Sequence, residues 1–179
     1  MLASVNWNKN EKYSLSSYNI EGFVEFYQKK NSDPVEIYVY IEGLPDGLHG
    51  FHIHEKPVEF IFGSAEDCCS KLGGHFHVGK KWSLESQDGT KHGIEGHTGD
   101  LCNNIYTEKN ITEKKFYDHK ISLFQEDKNC IIGRSLIIHE DEDDCGIREY
   151  LDEKKNIERY ITGNAGKRIA CGNVILEEY

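Results

Sequence analysis

The chain has 179 residues and carries 31 acidic against 21 basic side chains, which gives a formal net charge of −10 at pH 7. This charge argues against nucleic-acid binding and against docking on an anionic membrane, because both favour basic patches. No apolar run reaches the length of a signal peptide at the N-terminus or of a membrane span elsewhere, so we expect a cytoplasmic protein. The length is typical of a single domain, and we assign residues 1–179 to one.

Most segments with a readable pattern are predicted strands. Residues 20–28 and the alternating run 35–42 are joined by a turn at residues 31–34, which predicts a hairpin. Further strands are predicted at residues 47–55, 120–124, 134–140 and 168–176.

Two long segments, from about residue 56 to 99 and from about 140 to 166, lack a strand pattern. Each begins directly after a predicted strand that carries histidine. Loops of this length inside a compact domain are usually functional. The second segment contains the one helical candidate, a charged stretch at residues 144–160 that favours a short helix within the loop. The pattern predicts an all-β sandwich or barrel with two functional loops.

The histidines are the residues that point to chemistry. His52 and His54 lie two residues apart on a predicted strand, so their side chains share one face, while Phe51 and Ile53 point to the other face. His139 lies on another predicted strand. The loop between these strands supplies further metal-binding side chains: His75, His92, His97 and Asp100.

These side chains are sufficient for two metal ions. His52, His54 and His139 give a three-nitrogen set, which suits copper among other metals, and a set of three histidines with one aspartate suits zinc. One imidazole can bind two metals through its two nitrogens, and His75 lies between the two sets in sequence. Asp143 is the natural candidate for a carboxylate that fixes the tautomers of ligand histidines.

Six segments, taken in order, are similar to the motif series of the copper–zinc superoxide dismutase family: GLHGFHIHE, GGHFH, KHG, GHTGDL, CIIGRSLIIHEDEDD and TGNAGKRIACG. The similarity runs from about residue 22 to 175. It implies a Greek-key antiparallel eight-stranded barrel or sandwich, immunoglobulin-like, with the long segments as zinc/disulfide and electrostatic loops. It also implies an oxidoreductase that converts superoxide to dioxygen and hydrogen peroxide by alternate reduction and oxidation of copper, as a homodimer.

The resemblance also implies the role of particular residues, with one copper and one zinc ion per subunit. It makes His75 a bridging and catalytic residue, Arg168 a catalytic residue at the mouth of the copper channel, and Asp143 the link between His52 and His92. The implied copper ligands are His52, His54, His75 and His139. The implied zinc ligands are His75, His92, His97 and Asp100. His77 is an alternative to His75, and His49 and His119 are expected to be structural and solvated, respectively.

The cysteines follow the same resemblance. It implies a disulfide between Cys69 and Cys171, and the spacing to the GGH motif favours Cys69 over its neighbour Cys68. Such a bridge would close a loop of about 100 residues. The remaining cysteines are expected to be thiols: Cys102, Cys130 and Cys145.

The chain also departs from the family pattern. The stretches between residues 55 and 69 and between 75 and 92 are longer than usual, and that between 92 and 97 is shorter. Ile161 stands where the family has a lysine. Four residues are candidates to replace that charge: Lys154, Lys155, Arg159 and Lys167. In the family, the dimer contact uses the disulfide loop, the CIIG turn and the C-terminus. The CIIG turn is present here at residues 130–133, but the disulfide loop is altered.

Two other functions are compatible with a metal-binding β domain. A module that buffers copper without turnover usually lacks a copper ligand or the channel arginine, and both are present here. A copper chaperone would carry an added CxxC domain, and the sequence contains no CxxC. The enzyme is therefore the favoured interpretation.

Overall fold

The computed structural model describes residues 1–8, 14–59 and 63–177. Within these ranges the chain forms ten strands, two short α-helices and one 3₁₀ turn. The strands are β1 (Leu2–Asn6), β2 (Ser14–Ser16), β3 (Glu21–Tyr27), β4 (Val35–Glu42), β5 (Gly47–His54), β6 (Asn104–Thr107), β7 (Ile111–Asp118), β8 (Ser135–His139), β9 (Arg168–Asn173) and β10 (Ile175–Leu176). The helices are α1 (Ala65–Cys69) and α2 (Glu153–Glu158), and the 3₁₀ turn is Thr98–Asp100.

The strands form two antiparallel sheets of five, in the orders β10-β1-β3-β4-β7 and β2-β9-β8-β5-β6. Apart from the short edge strands β2 and β10, the chain crosses from one sheet to the other after β4, β6 and β7, which is a Greek-key path and confirms the predicted fold class. Eight strands carry this path. The other two, β2 and β10, add three and two residues to the sheet edges.

The core lies between the two sheets and follows the alternation of β4. Its four inward side chains are Val35, Ile37, Val39 and Ile41, all with no exposed surface. From the facing sheet Phe51 and Ile53 enter the same core, as the period of two predicts for β5.

The opposite face of β5 carries the histidines, and the two long loops cover it. His52 and His54 therefore have no exposed surface although they point away from the core. The predicted hairpin of β3 and β4 is present. The short helix expected within residues 144–160 is also present, as α2.

Two strand predictions are wrong. The apolar run at residues 120–124 is not a strand, because Asp118 Oδ1 accepts the backbone N–H groups of Lys120 and Ile121 at 2.7 and 3.1 Å and turns the chain at the end of β7. Within this run only Ser122 makes an isolated bridge, with Cys130. The run predicted as one strand at 168–176 is divided at Val174, so that β10 pairs with β1 in the other sheet.

The described residues contain no helix that is long and apolar enough to span a lipid bilayer.

Candidate metal centre

Strand pairing brings the histidines together. His52 and His54 on β5 lie opposite Ile137 and Ser135 of β8, and His139 ends β8 at an irregularity in its pairing with β9. An isolated bridge between His54 and His75 fixes the start of the long loop against β5. The rings of His52 and His75 are consequently 4.1 Å apart between centroids.

Four buried ring nitrogens form the first cluster. They are Nδ1 of His52 and Nε2 of His54, His75 and His139. Their ligand atoms lie within 4.8 Å of one another, and none has a hydrogen-bond partner among the described residues. A buried polar atom without a partner costs free energy, so four converging ones are suited to hold a cation. An all-imidazole set suits copper.

The second nitrogen is fixed in the three rings that belong to this cluster alone. His54 Nδ1 lies 3.1 Å from the Gly73 carbonyl oxygen, and His139 Nδ1 lies 3.2 Å from that of Gly166. His52 Nε2 lies 2.5 Å from Asp143 Oδ2. In each case the imidazole N–H donates outward, which leaves the lone pair of the other nitrogen directed into the cluster.

The second cluster is His75, His92, His97 and Asp100. The Nδ1 atoms of the three histidines lie 2.8, 3.0 and 3.3 Å from the carboxylate oxygens of Asp100. The 3₁₀ turn at Thr98–Asp100 folds Asp100 back, so that its Oδ2 accepts the backbone N–H of His97 at 2.7 Å. Three histidines and one carboxylate are a set that suits tetrahedral zinc.

His75 belongs to both clusters, through Nε2 in the first and Nδ1 in the second. This is the arrangement that sequence reasoning predicts for a bridging histidine. His77 lies in neither cluster, because its Nδ1 accepts the backbone N–H of Thr98 at 3.2 Å. His49 contacts the carbonyl oxygen of His139 at 2.9 Å, and the position of His119 is exposed.

The electrostatics of the two clusters differ. Burial lowers the pKa of His75 and of His139 to about 3, so both rings are neutral at pH 7. Burial opposes the charge of His92, but hydrogen bonds to Asp100 and Asp143 outweigh it and raise its pKa to about 9. Burial alone would raise the pKa of Asp100, yet the three histidines hold it well below its usual value. Asp100 therefore supplies the negative charge of the second cluster.

Asp143 connects the two clusters. Its two carboxylate oxygens lie 2.5 Å from His52 Nε2 and 2.8 Å from His92 Nε2. Asn104, at the start of β6, holds its backbone by donating to the Asp143 carbonyl at 2.9 Å and accepting its N–H at 2.8 Å. Cys145 N donates to Oδ1 at 2.7 Å. Sequence reasoning missed Asn104, since a single asparagine 39 residues before Asp143 gives no sign that the two residues are in contact.

The first cluster opens into a cavity of about 210 Å³ whose wall includes Arg168. The guanidinium of Arg168 donates to the carbonyl oxygens of Cys69 at 2.9 Å and Gly73 at 2.6 Å. The predicted disulfide joins Cys69 to Cys171, with the Cα atoms 5.8 Å apart. Because Arg168 and Cys171 lie on β9, the disulfide and these hydrogen bonds tie the loop to the strand that carries the arginine.

The four candidate replacements for the missing lysine are absent from the cavity wall in the described part of the chain, whereas Ile161 is part of it. Arg159 is buried and donates to the Arg148 carbonyl at 2.9 Å. Lys167 lies 3.5 Å from a carboxylate oxygen of Glu66, and the remaining two are the lysines of α2.

A different lysine, Lys81, does line the cavity. Sequence reasoning missed it. The only available signal was its place in the lengthened stretch between His75 and His92.

Comparison with known proteins gives one family. The family model described as copper/zinc superoxide dismutase matches residues 20–174. Superoxide dismutase [Cu-Zn] 5 of Dictyostelium discoideum is 38% identical over 162 residues, 89% of this chain and 92% of that protein. Superoxide dismutase [Cu-Zn] A of Xenopus laevis is 38% identical over 87% of this chain and 89% of its own. An extracellular superoxide dismutase [Cu-Zn] of Drosophila melanogaster is 38% identical over 86% of this chain and 74% of its own.

Proposed function

The chain belongs to the copper/zinc superoxide dismutase family, and we propose that it converts two superoxide anions and two protons into dioxygen and hydrogen peroxide. The observation that carries this proposal is the set of four buried nitrogens with no partner among the described residues, one of them on the ring that also enters the second cluster.

The two clusters match the two metals of the family. We assign copper to His52, His54, His75 and His139, and zinc to His75, His92, His97 and Asp100. Copper supplies the one-electron chemistry when bound, whereas zinc has no accessible redox step. Asp143 holds one histidine of each set in its ligating tautomer, so it sets the relative orientation of the two sites.

His75 is the residue that can hold a proton at the reacting centre. His75 lines the cavity, its Nε2 belongs to the first cluster, and its Nδ1 points to the second cluster. A group bound at Nδ1 would keep the ring oriented while Nε2 carries a proton. Nε2 is therefore the atom from which a proton could pass to the peroxide product.

Arg168 is the residue that binds the anion. The net charge of −10 repels superoxide at long range, but a cationic cleft with low-dielectric walls focuses the local field and raises association rates, as this family itself illustrates. The cavity beside Arg168 has room for a two-atom anion.

Pulse radiolysis of the copper- and zinc-loaded protein tests the activity. We expect second-order decay of superoxide that is first order in protein through many turnovers. Stoichiometric metal binding with no turnover would instead identify a metal-buffering protein.

Arg168→Ala tests the anion site. We expect a lower bimolecular rate and a weaker dependence of that rate on ionic strength, with metal content unchanged, because a positive charge is lost while every ligand remains. Arg168→Lys is the matched control, since it keeps the charge. An unchanged rate of the alanine variant at low salt would remove Arg168 from this role.

We also propose a homodimer that buries the corner formed by β1, β3 and β10. Apolar side chains are exposed there, including Tyr27 at 48% and Ile175 at 45%, and the turn at residues 130–133 adjoins it through the Gly133 N–H bond to Val174. Ile175→Glu should give a monomer in sedimentation velocity. Ile111→Glu, with equal exposure on the opposite sheet edge, is the control and should stay dimeric. A wild-type monomer at micromolar concentration would refute the proposal.

For the compartment we propose the cytoplasm. Among the described residues Cys102, Cys130 and Cys145 are outside disulfides, which favours a reducing environment. Fractionation of cells expressing the full-length protein tests this, and its recovery in the medium would contradict it.

A further inference from the structure

Lys81 is one of two cationic side chains among the described residues that line the cavity, and the other is Arg168. The described wall contains no carboxylate. The charge of Lys81 therefore borders the cavity that an incoming anion enters. Nothing in the family pattern assigns it, since it belongs to the lengthened stretch between His75 and His92.

The backbone around Lys81 is fixed by short-range pairing. Lys81 forms an isolated β-bridge with Thr90. The Thr90 N–H donates to the Lys80 carbonyl at 2.8 Å, and the Trp82 N–H donates to the Thr90 carbonyl at 2.9 Å. The same carbonyl lies 3.0 Å from His97 Nε2. The position of Lys81 is thus coupled to a histidine of the second cluster, so it does not depend on a freely moving loop.

The ammonium group of Lys81 is paired with Glu55. This glutamate directly follows His54, and its other carboxylate oxygen accepts the Gly74 N–H at 3.2 Å. The side chains of Lys81 and Glu55 are 32% and 39% exposed. An ion pair this exposed is weak, so the ammonium group can leave the carboxylate for a passing anion.

Arg168 is held differently. Its terminal nitrogens already donate to loop carbonyls at 2.6 and 2.9 Å, and it is half-buried. It is a fixed binding group, whereas Lys81 is a less constrained one nearer solvent.

We propose that Lys81 is a second anion-guiding residue of this cavity, and that Glu55 limits its strength by competing with the anion for the ammonium group. The proposal rests on the proposed function only in taking superoxide as the anion. It predicts that removing the carboxylate makes the protein better at attracting anions.

Trp82 gives a readout that needs neither copper nor turnover, because it lines the same cavity, while Trp7 is 6% exposed. Fluorescence quenching by iodide reports the local potential, and quenching by neutral acrylamide reports access alone. In the zinc-loaded, copper-free protein Lys81→Gln should lower the iodide quenching constant about twofold, the size of effect that one nearby unit charge has in water. Glu55→Gln should raise it by a similar factor, with acrylamide quenching unchanged in both.

The neighbouring exposed pair supplies matched controls. Lys80 and Asp88 form an ion pair at 2.5 Å outside the cavity wall. Lys80→Gln and Asp88→Asn make the same changes in net charge and should leave iodide quenching close to wild type. Equal effects of Lys80→Gln and Lys81→Gln would overturn the proposal, because net charge alone would then explain both.

The second test measures superoxide turnover by the enzyme loaded with copper and zinc. At low salt the bimolecular rate should fall about two- to threefold in Lys81→Gln and rise in Glu55→Gln, with both effects shrinking as salt is added. If the wild type turns over superoxide normally but Lys81→Gln leaves iodide quenching unchanged, the role of Lys81 is refuted and the proposed function is not. The expected quenching pattern in a protein without superoxide turnover would refute the proposed function and still support anion guidance by Lys81.

Discussion

Replacing both half-cystines, as Cys69→Ser with Cys171→Ser, should destabilise the metal-free protein by about 7 kcal/mol. The two residues are 102 positions apart. In the chain-entropy model a crosslink closing a loop of that length stabilises the fold by about 4.7 kcal/mol, because it restricts the unfolded chain. Both sites are fully buried, so two unpaired serine hydroxyls would add a further cost of about 1 kcal/mol or more each. The double variant is needed because Cys68, next to Cys69, could otherwise pair with Cys171.

Urea unfolding of the metal-free protein measures this loss, with Cys130→Ser as a control that removes a thiol and no crosslink. Wild-type protein reduced by dithiothreitol has no new hydroxyls and should lose only the crosslink contribution, about 5 kcal/mol. The m-value should rise in both, since the uncrosslinked chain exposes more surface on unfolding. A loss below about 2 kcal/mol, with the disulfide verified in the wild type, would refute the entropic argument.

Three further variants or measurements test the site. Gly163→Ala should weaken zinc binding by about 10–100-fold in chelator competition, because at φ +70° its Cβ would lie 2.2 Å from Asp143 Oδ1 and displace it; unchanged affinity would contradict the role of Asp143. His75→Ala should bind both metals but lose magnetic coupling in a copper–cobalt derivative, and retained coupling would point to His77. Burial raises the pKa of the Cys145 thiol to about 11, so its alkylation rate should rise about tenfold per pH unit from pH 7 to 10; a plateau near pH 9 would contradict this.

Local periodicity was enough to predict the face that carries His52 and His54, because side chains alternate on a strand whatever the rest of the fold does. It missed β7, where charged residues such as Lys114 and Lys115 share a strand with the inward Phe116. It mistook residues 120–124 for a strand, since the apolar run gives no sign that Asp118 ends the pairing.

Residues of the candidate site could be predicted where they lie in short sequence motifs. They could not be predicted where the path of a loop decides whether a side chain reaches the site. His75, Asp143 and Arg168 lie in short motifs, and the structure brings them to one centre. Lys81 enters the cavity only because its segment pairs with Thr90, a contact that depends on the path of a lengthened loop. Arg159, a candidate on sequence grounds, is instead used to bind a backbone carbonyl.

Anomalous diffraction at the copper and zinc edges, from crystals of the protein reconstituted with both ions, tests the paired metal centre most directly. We predict one copper peak among the ring nitrogens of His52, His54, His75 and His139, and one zinc peak among His75, His92, His97 and Asp100. The ring of His75 should lie between the two peaks. A single peak, or two peaks of which His75 touches only one, would contradict the account.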